Sequence, residues 1–135
     1  MTTLVDANVL LDVFTADPRW TQWSRERLGA ALAAGPVVVD PIIYAEVSLA
    51  FAYERELDTQ LRALGIAKRP LPYEAAFPAG RAYIRYRREG GTRRSPLPDF
   101  YIGAHAQVEG FRLLTRDARR YRSYFPEVSL DAPPA

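Results

Sequence analysis

Apolar positions come in short blocks separated by caps, prolines and glycines, and this pattern predicts a succession of short strands and helices. Residues 3–5 form an apolar stretch that ends at Asp6, and residues 8–14 then take helical spacing. Asp17-Pro18 predicts a capped helix over residues 19–34, stopped by Gly35. Val37-Val38-Val39 predicts a buried strand, and Asp40-Pro41 repeats the cap ahead of an apolar helix over 42–53. A helix over 56–64 stops at Gly65, and a weakly marked strand covers 66–71. Residues 73–89 predict a helix with a kink or late start at Pro78, followed by a loop at 90–96. Pro98 suits the first turn of a helix running to Gly110; residues 112–115 predict a core strand. Asp117 heads a helix over 118–124, residues 128–130 predict an edge strand, and residues 131–135 a disordered tail.

A strand flanked by helices, repeated along a chain, is the wiring of an α/β fold with a parallel sheet. The 135 residues are enough for one domain, and no repeat or linker divides them. No apolar run reaches the length of roughly 20 residues that spans a membrane. The N-terminal segment lacks the basic stretch and cleavage site of a signal peptide and is expected to be mature structure. The absence of cysteine excludes disulfides and thiolate chemistry and fits a cytoplasmic protein.

The net charge of +2 hides an uneven distribution. Residues 1–80 carry seven Arg/Lys against ten Asp/Glu, whereas residues 81–122 carry eleven Arg against four acids. A basic segment beside an acidic cluster suits an anionic substrate brought to a cation site; a solvated arginine-rich face is the plainer reading.

Most acids are accounted for as caps or surface charges, and four are not. Asp6 follows an apolar strand directly, where its carboxylate reaches the carboxyl edge of the sheet or caps the next helix. Glu46 lies among Ile42, Ile43, Val47 and Ala50, and a buried carboxylate there must pair, stay protonated or bind a metal. Asp99 opens a helix whose small Gly103 and Ala106 are expected to let a strand approach closely. Asp117 caps the last helix or joins the other three, and the Thr115 hydroxyl can reach the same place. Converging carboxylates repel one another without a bound cation. Oxygen donors with no Cys and a single His favour Mg²⁺ or Mn²⁺ over Zn²⁺. A hard ion held in this way suits phosphoryl chemistry, activating a water and neutralising charge on phosphate oxygens.

Leu4-Val5-Asp6-Ala7-Asn8-Val9-Leu10-Leu11, Glu46 in its apolar helix, Pro98-Asp99-Phe100-Tyr101-Ile102-Gly103-Ala104-His105-Ala106 and Leu113-Leu114-Thr115-Arg116-Asp117, in that order, resemble a PIN-domain ribonuclease. More narrowly, the chain resembles the toxin of a VapBC-type toxin–antitoxin pair. The resemblance implies a three-layer α/β/α sandwich with a mainly parallel sheet of four to five strands. It implies Mg²⁺- or Mn²⁺-dependent endonucleolytic cleavage of RNA, with in-line attack leaving a 5′-phosphate and a 3′-hydroxyl. It further implies a homodimer and a cognate VapB-type antitoxin whose tail occludes the pocket. On this reading Asp6, Glu46, Asp99 and Asp117 are the catalytic, metal-holding acids, and Asn8 and Thr115 support them. Arg93, Arg94, Arg116, Arg119 and Arg120 are candidate phosphate contacts. Tyr83 and Tyr86 are candidates to stack unpaired bases, but their helical spacing favours packing or a subunit interface. Trp20 and Trp23 are expected in the core or a partner contact, and His105 in a structural role.

Two other classes compete. A phosphotransfer enzyme with an aspartate nucleophile needs a second Asp where Asn8 stands, or a later site lysine, and Lys68 is the only lysine. A non-catalytic module binding RNA or protein would leave the four acids as structural coincidences.

Overall fold

The computed structural model describes residues 1–91 and 97–134. Five strands form one sheet: β1 (Thr3–Val5), β2 (Val37–Val39), β3 (Ile66–Lys68), β4 (Arg112–Leu114) and β5 (Leu130–Asp131). The order is β3-β2-β1-β4-β5, and every neighbouring pair is parallel. All residues of β1 and β2 are buried. Successive strand residues point to opposite faces, so helices must cover both faces, which gives the three-layer α/β/α sandwich.

The helices are α1 (Ala7–Phe14), α2 (Thr21–Ala34), α3 (Pro41–Ser48), α4 (Glu54–Leu64), α5 (Ala76–Arg88), α6 (Leu97–Glu109) and α7 (Arg119–Tyr124). A 3₁₀ turn at Tyr73–Ala75 precedes α5, so Pro78 marks a late start and stands in the first turn. Gly65 and Gly110 end α4 and α6 with φ of 82° and 69°, a conformation that L side chains resist. Among the described residues no helix is long and apolar enough to cross a membrane.

Several boundaries depart from the sequence pattern. Helix α2 starts at Thr21 rather than residue 19, because Asp17 accepts from the Arg19 and Trp20 N–H groups in a turn ahead of it and does not cap the helix. The third helix stops at Ser48 rather than near residue 53, because Leu49, Ala50 and Phe51 close onto carbonyls three residues back. That turn leaves Leu49 exposed and sets Phe51 edge-on against Phe14. Strand β3 ends at Lys68, two residues before Pro70, which has no N–H for a ladder. Asp117 caps nothing: α7 starts after Ala118, with no side-chain cap. Asp131 belongs to β5 rather than to a tail, and it pairs with Arg27 at 2.9 Å.

The chain runs outward from β1 through β2 to β3, then returns to the other side of β1 with β4. The crevice outside the carboxyl ends of β1 and β4 is therefore the topological switch point, where open parallel sheets bind ligands. Val5 is paired with Leu114, so the next residues, Asp6 and Thr115, stand side by side at that crevice.

Candidate active site

Asp6 is held at the end of β1 by three donors. Its Oδ1 accepts from the Ala7 N–H at 2.8 Å, and Oδ2 accepts from the Thr115 hydroxyl at 2.8 Å and the Tyr121 hydroxyl at 3.1 Å. Burial outweighs those bonds and, with repulsion from Asp99, pushes the carboxyl up to about 6. Tyr121 is buried too, and its phenol is raised well above its ordinary value by burial and by the charge of Asp6.

Thr115 is the hub of a polar relay. A hydroxyl has one proton and two acceptor sites; here the proton goes to Asp6. The Thr115 oxygen accepts from the Asn8 amide at 3.3 Å and from the Asp117 N–H at 3.1 Å. The Asn8 side-chain oxygen accepts the Arg116 N–H at 3.1 Å, which fixes the amide orientation and ties α1 to the loop after β4.

Glu46 reaches the crevice from α3, whose entry Asp40 caps by accepting from the Ile43 N–H at 2.9 Å. Glu46 is half-buried; desolvation and the charges of Asp6, Asp99 and Asp40 push it up to about 7. Asp99 stands in the first turn of α6; burial raises it, and the Arg120 guanidinium bonded to it pulls the other way. Asp6, Glu46, Asp99 and Asp117 line one cavity of about 310 Å³, together with Asn8 and Tyr121. A side lobe of about 440 Å³ shares Asp99 and Asp117 with it and is completed by arginines and tyrosines of α5 and α7.

Among the described residues no three acid or histidine side chains already stand close enough to grip one ion. The donor set nevertheless suits a hard divalent cation: four carboxylates line one cavity, and three of them, Asp6, Glu46 and Asp99, are raised partly by repulsion from other acids of the set.

Residues 3–126 match the PIN domain family. The chain belongs to the PIN-domain family. No curated protein sequence matches it. This PIN domain resembles a chain of the VapBC2 complex of Rickettsia felis bound to promoter DNA, at 17% identity and TM-score 0.73, over 99% of this chain and 100% of that one. It also resembles a toxin–antitoxin complex from Klebsiella pneumoniae at 25% identity and TM-score 0.62, covering 93% and 94% of the two chains. The sarcin–ricin loop cleaving toxin VapC20 of Mycobacterium tuberculosis is 15% identical with TM-score 0.61, covering 94% and 98%.

The arginines of the PIN domain divide. Arg116, expected at phosphate, is committed to Asp12 by a two-pronged contact, Nε–Oδ2 at 2.8 Å and Nη2–Oδ1 at 2.9 Å. Asp12 is itself buried and also accepts from the Ser24 hydroxyl at 2.8 Å. Arg120 pairs with Asp99, Arg119 is exposed at the side lobe, and Arg93 and Arg94 lie outside the described residues. Gly103 does not serve the approach of a strand. A methyl group there would lie 2.4 Å from the Phe125 ring, so the small residue admits that aromatic side chain. His105 is buried and hydrogen-bonded to Asp40 at 2.9 Å, away from the four acids lining the cavity. Tyr83 and Tyr86 pack on Phe100, and Trp20 and Trp23 on each other.

Asp12 and Tyr121 went unnoticed in the sequence pattern. Asp12 carried a usable signal, an acid within the apolar helical run 8–14, the same feature that marks Glu46. Tyr121 carried none, since nothing but the fold brings its hydroxyl to Asp6.

Proposed function

We propose that this PIN domain is a Mg²⁺- or Mn²⁺-dependent endoribonuclease and the toxin of a toxin–antitoxin pair. The observation that carries the reading is the convergence of four carboxylates from four separate segments on one cavity at the switch point. Asp6, Glu46 and Asp99 are the residues that would hold a divalent ion, with Asp117 completing the set. Once bound, the ion would neutralise phosphate charge and activate a water.

The chain's own groups prepare that site. Thr115 and Tyr121 direct both of their hydroxyl protons at Asp6 Oδ2, which fixes the carboxylate's orientation. Asn8 holds Thr115, and through the Arg116 N–H it also holds the loop that carries Asp117. Leu11 and Leu49 line the same cavity, Leu49 at its solvent-exposed rim. Arg119 and Arg120 lie on the α7 side, where the RNA backbone would enter. A VapB-type antitoxin belongs to the same reading, supported by likeness to chains from toxin–antitoxin complexes; a homodimer and a cytoplasmic location complete the proposal.

Purified protein incubated with total cellular RNA tests it. Discrete fragments are expected with Mn²⁺ or Mg²⁺, and none with EDTA or in Asp6→Asn. RNA binding without turnover, unchanged by EDTA, would favour a non-catalytic binding module instead.

A further inference from the structure

The side lobe, a cavity of about 440 Å³, is a feature that the four acids do not explain. It is lined by Tyr86, Arg119, Arg120, Ser123 and Tyr124, and it opens into the acidic cavity through the shared Asp99 and Asp117. At the junction Arg120 Nη1 is bonded to Asp99 Oδ2, the two side chains 27% and 35% exposed. The guanidinium also lies over the rings of Tyr86 and Phe100, 5.4 Å and 6.0 Å from their centroids. Arg120 thus occupies a carboxylate that the nuclease reading assigns to a metal ion.

The two cations compete for Asp99. A guanidinium and a divalent ion on one carboxylate repel each other, and even at this part-exposed pair each weakens the hold of the other. We propose that Arg120 is an exchangeable counter-ion: it neutralises Asp99 in the metal-free protein, and a divalent ion that takes Asp99 releases it to a phosphate of RNA in the side lobe. The proposal rests on the nuclease reading and adds a substrate subsite to it. The chemistry of the lobe suits that ligand. Two arginines from adjacent positions on α7 supply charge, and the rings of Tyr86 and Tyr124 border the space where a neighbouring base would lie. The aromatic shelf beneath Arg120 keeps the displaced guanidinium inside the lobe, and the backbone of α7 limits its reach. An arginine fork in that position matches phosphate oxygens.

The exchange couples the two ligands. Metal frees Arg120 for RNA, and RNA drawing Arg120 away uncovers Asp99 for metal, so each tightens the binding of the other by the same factor.

Titration calorimetry of the full chain with Mn²⁺, without RNA, reads the first half. Arg120→Gln is expected to bind Mn²⁺ about five- to tenfold more tightly than wild type. Arg120→Lys keeps a cation for Asp99 and should stay near wild type. Arg119→Gln removes an equal charge from the same lobe but no carboxylate partner, and should change affinity by less than about twofold. Anisotropy of a fluorescein-labelled oligouridylate reads the second half. With Ca²⁺ in place of Mn²⁺, Arg120→Gln should weaken binding and lower the salt slope by about one phosphate contact. In EDTA, where Arg120 is held by Asp99, it should bind like wild type. Equal Mn²⁺ affinity in wild type and Arg120→Gln, or equal RNA losses in EDTA and Ca²⁺, overturns the exchange while leaving the metal site standing. A wild-type protein that binds no Mn²⁺ removes both.

Discussion

The Thr115 hydroxyl donates to Asp6 Oδ2 at 2.8 Å, across the seam between the ends of β1 and β4. It is the largest influence opposing the upward push of burial on that carboxyl. Thr115→Val preserves the shape and deletes the donor. Asp6 should then ionise above its present value of about 6, and the acidic limb of the pH–rate profile should move upward. Thr115→Ser should restore the wild-type profile, which a purely steric role for the residue would not require.

The raised carboxyls make the metal-free protein sensitive to pH in a defined direction. An acid whose folded value lies above its unfolded one holds protons more tightly in the native state, so its contribution to stability falls as pH rises. For Glu46, raised from 4.5 to about 7, that loss spans the interval between the two values and is complete above it. Glu46→Gln should therefore stabilise the protein at pH 8 in EDTA by about 1–2 kcal/mol, after discounting for its half-exposed position. At pH 4 it should make little difference. Denaturant melts at the two pH values check the sign.

The Asp12–Arg116 pair should behave asymmetrically. The Asp12 side chain is 3% exposed and that of Arg116 is 29% exposed. Arg116→Ala strands a buried carboxylate with the Ser24 hydroxyl as its remaining partner, and should lose about 3 kcal/mol. Asp12→Ala leaves an arginine that can turn to water and should lose less. Arg116→Ala should also leave the salt dependence of RNA binding unchanged, because its guanidinium is already taken.

Gly103→Ala tests the close approach of α6 to the residue that follows α7. A methyl 2.4 Å from the Phe125 ring forces a rearrangement expected to lose about 1–3 kcal/mol. Phe125→Leu combined with it should recover part of that loss, measured by thermal melts of both single variants and the pair.

What the chain discloses on inspection follows from which interactions are local. Asp40-Pro41 and the stops at Gly65 and Gly110 act within one helical turn, and all are found as expected. Asp6 and Glu46 could be singled out because a carboxylate beside an unbroken apolar run has no cheap local explanation. Asp12 meets the same criterion within the apolar run of α1, and its partner lies 104 residues away. The arginines were illegible for another reason: a long cationic side chain looks alike whether it ends at phosphate or carboxylate. Only the fold brings Asp12 to Arg116 and Asp99 to Arg120. Apolar Leu49 and Phe51 prolonged the helical pattern past Ser48, although one points to solvent and the other turns to Phe14.

The central strand joins an early segment of the domain to a late one. Thr3 is in register with Val37 on one side and with Arg112 on the other. Asp6 thus depends on Thr115 and Tyr121, which lie 109 and 115 residues further along the sequence. A fragment that ends before β4 keeps the Ala7 N–H as a donor to Asp6 but lacks Thr115, Asp117 and Tyr121. On the proposed reading the site is assembled only once β4 and α7 have joined the domain, and a fragment truncated at Gly110 should be inert toward RNA.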